Sequence, residues 1–167
     1  MISRRNILLG SSGAIAAVTA LRFTATDAAP AVKFEIEKSD EEWRRLLTPA
    51  QYDVLRKHGT ERAGTSPLNA EKRKGTFACA GCDLPLFSSD TKYESGTGWP
   101  SFWQPLANAV GTTVDKSFFM TRTEVHCRRC GGHLGHVFED GPKPTGLRYC
   151  MNGVALKFVP AAASGPA

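Results

Sequence analysis

Two C-x-x-C pairs, Cys79/Cys82 in FACAGCDLPLF and Cys127/Cys130 in VHCRRCGGHLGH, constrain this chain more than any other feature. Two residues between cysteines allow a tight knuckle that aims both sulfurs at one point. Two such knuckles supply four thiolates in the tetrahedral array that zinc prefers. The 44 residues between Cys82 and Cys127 exceed what a simple finger needs. Closure entropy grows only logarithmically with loop length, so the long insertion is tolerable. One structural zinc per chain would then tie two distant hairpins together. The same four cysteines could instead form two disulfides in an oxidising compartment, although C-x-x-C disulfides are commonly redox-active rather than structural. We favour zinc.

Charge bears on a third use of such ligands, a zinc ribbon that binds nucleic acid. The formal net charge is +5. Without residues 1–28, which hold Arg4, Arg5, Arg22 and Asp27, 18 of the 21 basic and 15 of the 16 acidic residues remain, a net +3. That excess is small and scattered, and no Lys/Arg-rich ribbon tip is present, so we expect no nucleic-acid partner. The removed segment has its own logic. Arg4-Arg5 precedes the uncharged apolar stretch ILLGSSGAIAAVTAL, and small residues follow in TDAAPA. Paired arginines before a modestly hydrophobic core resemble a twin-arginine signal. The stretch is shorter than a membrane span and diluted with Gly and Ser. We read residues 1–31 as this signal, cleaved between Asp27 and Val32, with export to the periplasm and no stable membrane insertion afterwards. Such a route carries folded proteins, so zinc would be loaded in the reducing cytoplasm first.

The remainder, residues 32–160, has the length of one domain with a real core, followed by a flexible tail at 161–167. Ser39 to Glu42 forms a capping box, with Trp43, Leu46 and Leu47 behind it on one face. Thr48-Pro49-Ala50-Gln51 repeats the start signal, Tyr52 and Leu55 supply an apolar face, and Gly59 is a stop. Residues 39–58 are thus two short helices. From Lys74 onward the pattern is strands and turns, with alternation over Phe119–Val125 and Val154–Phe158. We expect a mainly β fold of antiparallel sheets with short N-terminal helices.

The fifth cysteine, Cys150, stands apart in LRYCMNGVALKF. A thiol becomes nucleophilic where a cation or hydrogen-bond donors favour its thiolate. On a strand, Arg148, Cys150 and Asn152 would share one side, but Asn152-Gly153 also reads as a hairpin turn that would break this alignment. A buried structural thiol is the bland alternative, and the segment alone leaves both open. Other segments favour reactivity. His133 and His136 lie close together after the second knuckle, suited to proton transfer. Trp99 sits in GTGWPSFW, a stiff aromatic loop suited to an apolar pocket wall.

Four stretches, CDLPLF, SGTGWPSF, HCRRCGGHLGHVFEDGP and LRYCMNG, closely resemble, in this order, the motifs of the methionine sulfoxide reductase B family, and the likeness covers residues 38–160. The resemblance implies two antiparallel sheets in a tent-like arrangement and reduction of methionine-(R)-sulfoxide in oxidised proteins and peptides, the activity of a peptide-methionine (R)-S-oxide reductase. It implies Cys150 as nucleophile, passing through a sulfenic acid, and Cys79, Cys82, Cys127 and Cys130 as zinc ligands. Trp99 would hold the substrate methyl group, and His133, His136, Arg148 and Asn152 would line the polar side. The chain departs from the family at Thr97, where many members carry a resolving cysteine. We therefore expect a cycle that uses one cysteine, with Cys150 reduced by a small thiol or a thioredoxin-like donor; separately, we expect a monomer. Two rivals are a zinc-ribbon binding module without catalysis and another thiol-based peroxide or disulfide oxidoreductase.

Overall fold

The computed structural model describes residues 33–117 and 120–162. The expected signal at residues 1–31 and most of the expected tail at 161–167 lie outside the described residues. Two helices open the described chain, α1 (Asp40–Leu46) and α2 (Pro49–Lys57). Both capping boxes form. Ser39 Oγ accepts from the Glu42 N–H at 3.3 Å, and the Glu42 carboxylate accepts from the Ser39 N–H at 2.8 Å. Thr48 and Gln51 repeat the exchange at 3.2 and 3.0 Å, with Pro49 opening the helix. Trp43, Leu47, Tyr52, Val54 and Leu55 are buried, whereas Leu46 is 60% exposed. Leu46 therefore leaves the apolar face on which the sequence pattern places it. No helix among the described residues is long and apolar enough to cross a membrane.

The rest is mainly β, in two antiparallel sheets. Strands β1 (Gly75–Cys79), β2 (Pro85–Ser88) and β9 (Leu156–Pro160) form a three-stranded sheet in the order β2-β1-β9. Strands β3 (Lys92–Tyr93), β4 (Ser101–Phe102), β5 (Val110–Asp115), β6 (Arg122–Cys127), β7 (His133–Phe138) and β8 (Arg148–Met151) form the second, ordered β3-β4-β8-β7-β6-β5. An aromatic stack joins the two: Phe87 of β2 lies on Phe102 of β4 with centroids 4.4 Å apart, and Phe77 of β1 meets Phe102 edge-on at 5.0 Å. All three rings are fully buried, a geometry worth about 0.5–1.5 kcal/mol per pair beyond area burial.

Two strands are displaced from the sequence pattern. The expected run over Phe119–Val125 becomes β6 at Arg122–Cys127, which ends in the second knuckle; Phe119 lies outside the described residues. The expected run from Val154 starts only at Leu156, because Gly153–Ala155 is a 3₁₀ turn. Asn152-Gly153 is not a hairpin: β8 and β9 belong to different sheets, and the dipeptide is the corner between them.

The β1–β2 and β6–β7 connections are built alike. Cys79 ends β1 and Cys127 ends β6, and each carbonyl accepts from the N–H four residues on, Asp83 and Gly131, both at 2.9 Å. Asp83 (φ 58°) and Gly131 (φ 67°) both adopt the left-handed conformation, which turns the chain back after the second cysteine of each knuckle.

Candidate active site

The four knuckle sulfurs converge. Their Sγ atoms all lie within 4.8 Å of one another, Cys79 to Cys130 at 3.8 Å and Cys82 to Cys127 at 3.5 Å. A disulfide needs a separation of about 2.05 Å, so these are free thiols. Zn–S bonds of about 2.3 Å in a tetrahedron place sulfurs roughly 3.8 Å apart, so the four cysteines could hold a metal ion such as zinc. Four thiolates around a divalent ion carry a net double negative charge. Arg56 and Arg129 lie beside the cluster, donating to the carbonyls of Cys130 (3.0 Å) and Cys82 (3.3 Å), where they would offset that charge.

Cys150 lies in the six-stranded sheet. Ser101, Cys150, His136 and Glu124 are successive register partners across β4, β8, β7 and β6. Paired residues project from the same face, so the strand order brings a thiol, an imidazole and a carboxylate into one row. Arg148 and Phe138 are partners in the next row. Gly135 makes this closeness possible. A Cβ there would stand 2.1 Å from the Cys150 carbonyl oxygen and 3.0 Å from the Met151 Cα, so a side chain would push β7 off β8.

Cys150 opens into a small pocket of about 130 Å³, lined with Trp99, His136, Asn152, Thr60, Arg122 and Phe138 among others. Its size suits a single side chain rather than a cofactor. Of the residues expected at the polar side, His136 and Asn152 line this pocket, and so does Trp99, whose indole Nε1–H donates to the Glu61 carbonyl at 3.1 Å. Thr97 Oγ1 is 3.8 Å from Cys150 Sγ. Ser95 Oγ continues this hydroxyl chain, 2.9 Å from Thr97 Oγ1 and 2.7 Å from Ser101 Oγ.

His136 Nε2–H donates to Asp115 Oδ2 at 2.8 Å, and Arg122 donates to the same oxygen at 2.7 Å. Asp115 is held well below the usual carboxylate range, chiefly by the Ser117 backbone N–H and hydroxyl, then by His136. Burial pushes His136 below the usual histidine value, with Asp115 opposing it. At neutral pH His136 is therefore a neutral imidazole facing an ionised carboxylate.

His133 and Arg148 stand outside the pocket lining. His133 is 2% exposed and lies behind His136, ring centroids 5.4 Å apart. Its Nδ1–H donates to Glu124 Oε1 at 2.7 Å, which also accepts from His58 Nδ1 at 2.9 Å. The His133 bond holds Glu124 below its ordinary value against desolvation. His58, Glu124 and His133 also bring their ligand atoms within 4.8 Å, but here the carboxylate is the shared acceptor of two imidazoles. Arg148 shares the face of Cys150, as the alternation requires, yet its guanidinium forks onto Asp140 (2.8 and 2.8 Å) and covers Phe138 at 4.4 Å.

Several contributors escape a sequence reading. Asp115, Glu124 and Arg122 sit on an alternating strand pair and look like ordinary solvated positions. Thr60 and Glu61 follow α2 and carry no signal beyond a helix end.

Comparison with known proteins agrees with this geometry. The SelR domain family matches residues 47–160. A Leptospira interrogans protein named peptide methionine sulfoxide reductase MsrB is 58% identical over 128 residues, covering 76% of this chain and 98% of that one. A Methanosarcina barkeri protein of the same name is 59% identical over 124 residues, with 74% and 87% covered. The chloroplastic peptide methionine sulfoxide reductase B1 of Arabidopsis thaliana is 55% identical over 121 residues, with 72% and 60% covered. A SelR match over most of the described chain, joined to relatives above half identity, shows that this chain belongs to the methionine sulfoxide reductase B family.

Proposed function

We propose that this protein reduces methionine-(R)-sulfoxide in oxidised proteins and peptides, with Cys150 as the nucleophile. The observation that carries this reading is the row Ser101, Cys150, His136, Glu124, which sets the one thiol outside the metal-type cluster beside a neutral imidazole in a pocket walled by Trp99. His136 takes the Cys150 thiol proton, and Asp115 balances the imidazolium that forms. The thiolate attacks the sulfoxide sulfur while the imidazolium returns the proton to the sulfoxide oxygen. The cysteine–methionine sulfur–sulfur bond so formed and the methionine sulfur–oxygen bond then break as the protonated oxygen passes to Cys150. Two electrons thus move from the cysteine sulfur to the methionine sulfur, leaving methionine and a Cys150 sulfenic acid. His133, fixed by Glu124, supports the orientation of His136, and Arg148 contributes positive charge from the same face. Trp99 packs against the substrate methyl group, so the oxygen of one epimer only is directed to the polar side.

Regeneration falls to an outside reductant. A small thiol or a thioredoxin-like dithiol condenses with the sulfenic acid, releasing water and forming a mixed disulfide. A second thiol then reduces that disulfide to Cys150. Thr97 stands where an internal thiol would be needed, and the other four cysteines form the cluster that we assign to one structural zinc. The chain acts as a monomer.

The test is turnover of resolved methionine sulfoxide epimers with dithiothreitol. The R epimer is expected to be reduced at least ~10²-fold faster than the S epimer, as misplaced reacting groups cost about that much. Equal rates, or S preference, would overturn the assignment. A peroxide or protein-disulfide substrate turned over in preference would favour the rival thiol oxidoreductase.

Export through Arg4 and Arg5 belongs to the same proposal. The full chain expressed in a bacterium with twin-arginine transport is expected in the periplasmic fraction. Lys at both arginines should hold it in the cytoplasm, and an unchanged distribution would count against the signal.

A further inference from the structure

We infer that Glu61 is a positioning residue for the Cys150 pocket, one residue that fixes both the aromatic wall at Trp99 and the amide at Asn152. The inference rests on the methionine sulfoxide reading above. It follows from where every polar group of Glu61 goes. Its backbone N–H donates to Asn152 Oδ1 at 3.0 Å, and its carbonyl accepts from Trp99 Nε1–H at 3.1 Å. Its carboxylate accepts from the backbone N–H groups of Gly153 and, at 3.1 Å, Val154. The preceding residue, Thr60, lines the Cys150 pocket itself.

The carboxylate does a job that Asn152 would otherwise do. Asn152 is the N-cap of the Gly153–Ala155 turn, yet its side chain makes no capping hydrogen bond. Asparagine at such a position normally turns its own oxygen back onto the free N–H groups that follow. Here Glu61 satisfies those donors from 92 residues away in sequence. The Asn152 amide is thereby released to bridge Leu134 O, which accepts from Nδ2 at 3.1 Å, and the Glu61 N–H. Asn152 is 3% exposed, so its orientation is set by these bonds rather than by water. Removing the carboxylate frees the Gly153 and Val154 donors, and the Asn152 oxygen, at the N-cap position of the same turn, is placed to take them over. The amide would then swing away from the pocket. Residue 61 would lose its anchor to the corner, and with it the carbonyl that holds the Trp99 indole.

A larger hollow of about 520 Å³ lies on the other side of Glu61, between α2, Thr65–Leu68 and Gly153–Leu156. Glu61, Gly153 and Val154 all line it, so truncating residue 61 meets open space rather than packed core.

The experiment compares Glu61→Ala and Glu61→Gln with the unaltered protein. Readouts are kcat and KM for both sulfoxide epimers, thermal stability, and hydrogen exchange at the indole N–H of Trp99. Glu61→Ala is expected to lower kcat/KM for the R epimer about 10–100-fold, the scale of a misplaced active group. It should also narrow the R-over-S preference and speed Trp99 indole exchange at least tenfold. Glu61→Gln keeps one acceptor oxygen and should fall between. In a Trp99→Ala background the KM effect of Glu61→Ala should shrink to less than about threefold, because partners in one network are not additive. A folded Glu61→Ala protein with kcat/KM, epimer ratio and indole exchange all within threefold of the parent would overturn the inference, as would full additivity with Trp99→Ala. Should Glu61→Ala not fold, Glu61→Gln decides on the same criteria. Failure of the unaltered protein to prefer the R epimer is a separate result and would count against the activity, not against the role of Glu61.

Discussion

Cys150→Ser is expected to lower methionine sulfoxide turnover by roughly 10³-fold or more, the scale on which removing a nucleophile acts. A serine hydroxyl is a weak nucleophile at neutral pH without strong activation, and a sulfenic acid intermediate requires sulfur. The fold should not notice. Cys150 is only partly buried, its Sγ has one polar neighbour at 3.8 Å in Thr97, and the exchange is nearly isosteric, so stability should stay within about 1 kcal/mol. This separation of activity from stability distinguishes the nucleophile reading from the buried-structural-thiol alternative, which predicts the reverse. One stoichiometric exposure of the parent enzyme to substrate, without reductant, sharpens the result. Mass spectrometry should find a single added oxygen or a trapped adduct at Cys150. An intramolecular disulfide involving Cys150 in the metal-loaded protein would sink the one-cysteine cycle while leaving the nucleophile assignment intact. Retained turnover in Cys150→Ser would sink both.

What could be read from the sequence follows the range of the interactions involved. Ser39/Glu42 and Thr48/Gln51 are three residues apart and close their own hydrogen bonds, so both helix starts were legible. The C-x-x-C knuckles are local too, and their meeting followed from the valence of a single ion. Leu46 departs from the helical pattern because a seven-residue helix packs through only two or three side chains, and Trp43 and Leu47 already fill that place. The corner at Asn152-Gly153 was ambiguous for a different reason. Its turn closes through its own backbone, but the first N–H groups are capped by Glu61, a residue remote in sequence, and no local pattern encodes that. Likewise His133 and His136 could be recognised as a pair, but only the register of β6, β7 and β8 separates them. His136 is the partner of Cys150, whereas His133 is held behind it by Glu124.

Removal of the metal, by chelation under reducing conditions or by Cys127→Ser, is expected to destabilise the whole domain rather than one loop. The four cysteines sit on the β1–β2 hairpin of the three-stranded sheet and the β6–β7 hairpin of the six-stranded one, so an ion bound there would cross-link the two sheets. Cys79, Cys127 and Cys130 are buried. Without an ion they are left as buried thiols or, worse, as like charges within 4.8 Å. Metal binding that is absent from the unfolded chain adds directly to folding free energy. A loss on the order of 5 kcal/mol would lower the melting temperature by about 15–25 °C for a domain of this size. Activity should fall with it, because β7 begins at His133, three residues after Cys130, and carries His136 to its partner Cys150 on β8. Elemental analysis of the purified protein should give one zinc per chain. Calorimetry on the same sample before and after chelation gives the shift, and restored zinc should recover it. A metal-free protein with an unchanged melting temperature would show that the four thiols hold their geometry through the sheets alone, and the structural zinc would have to be abandoned.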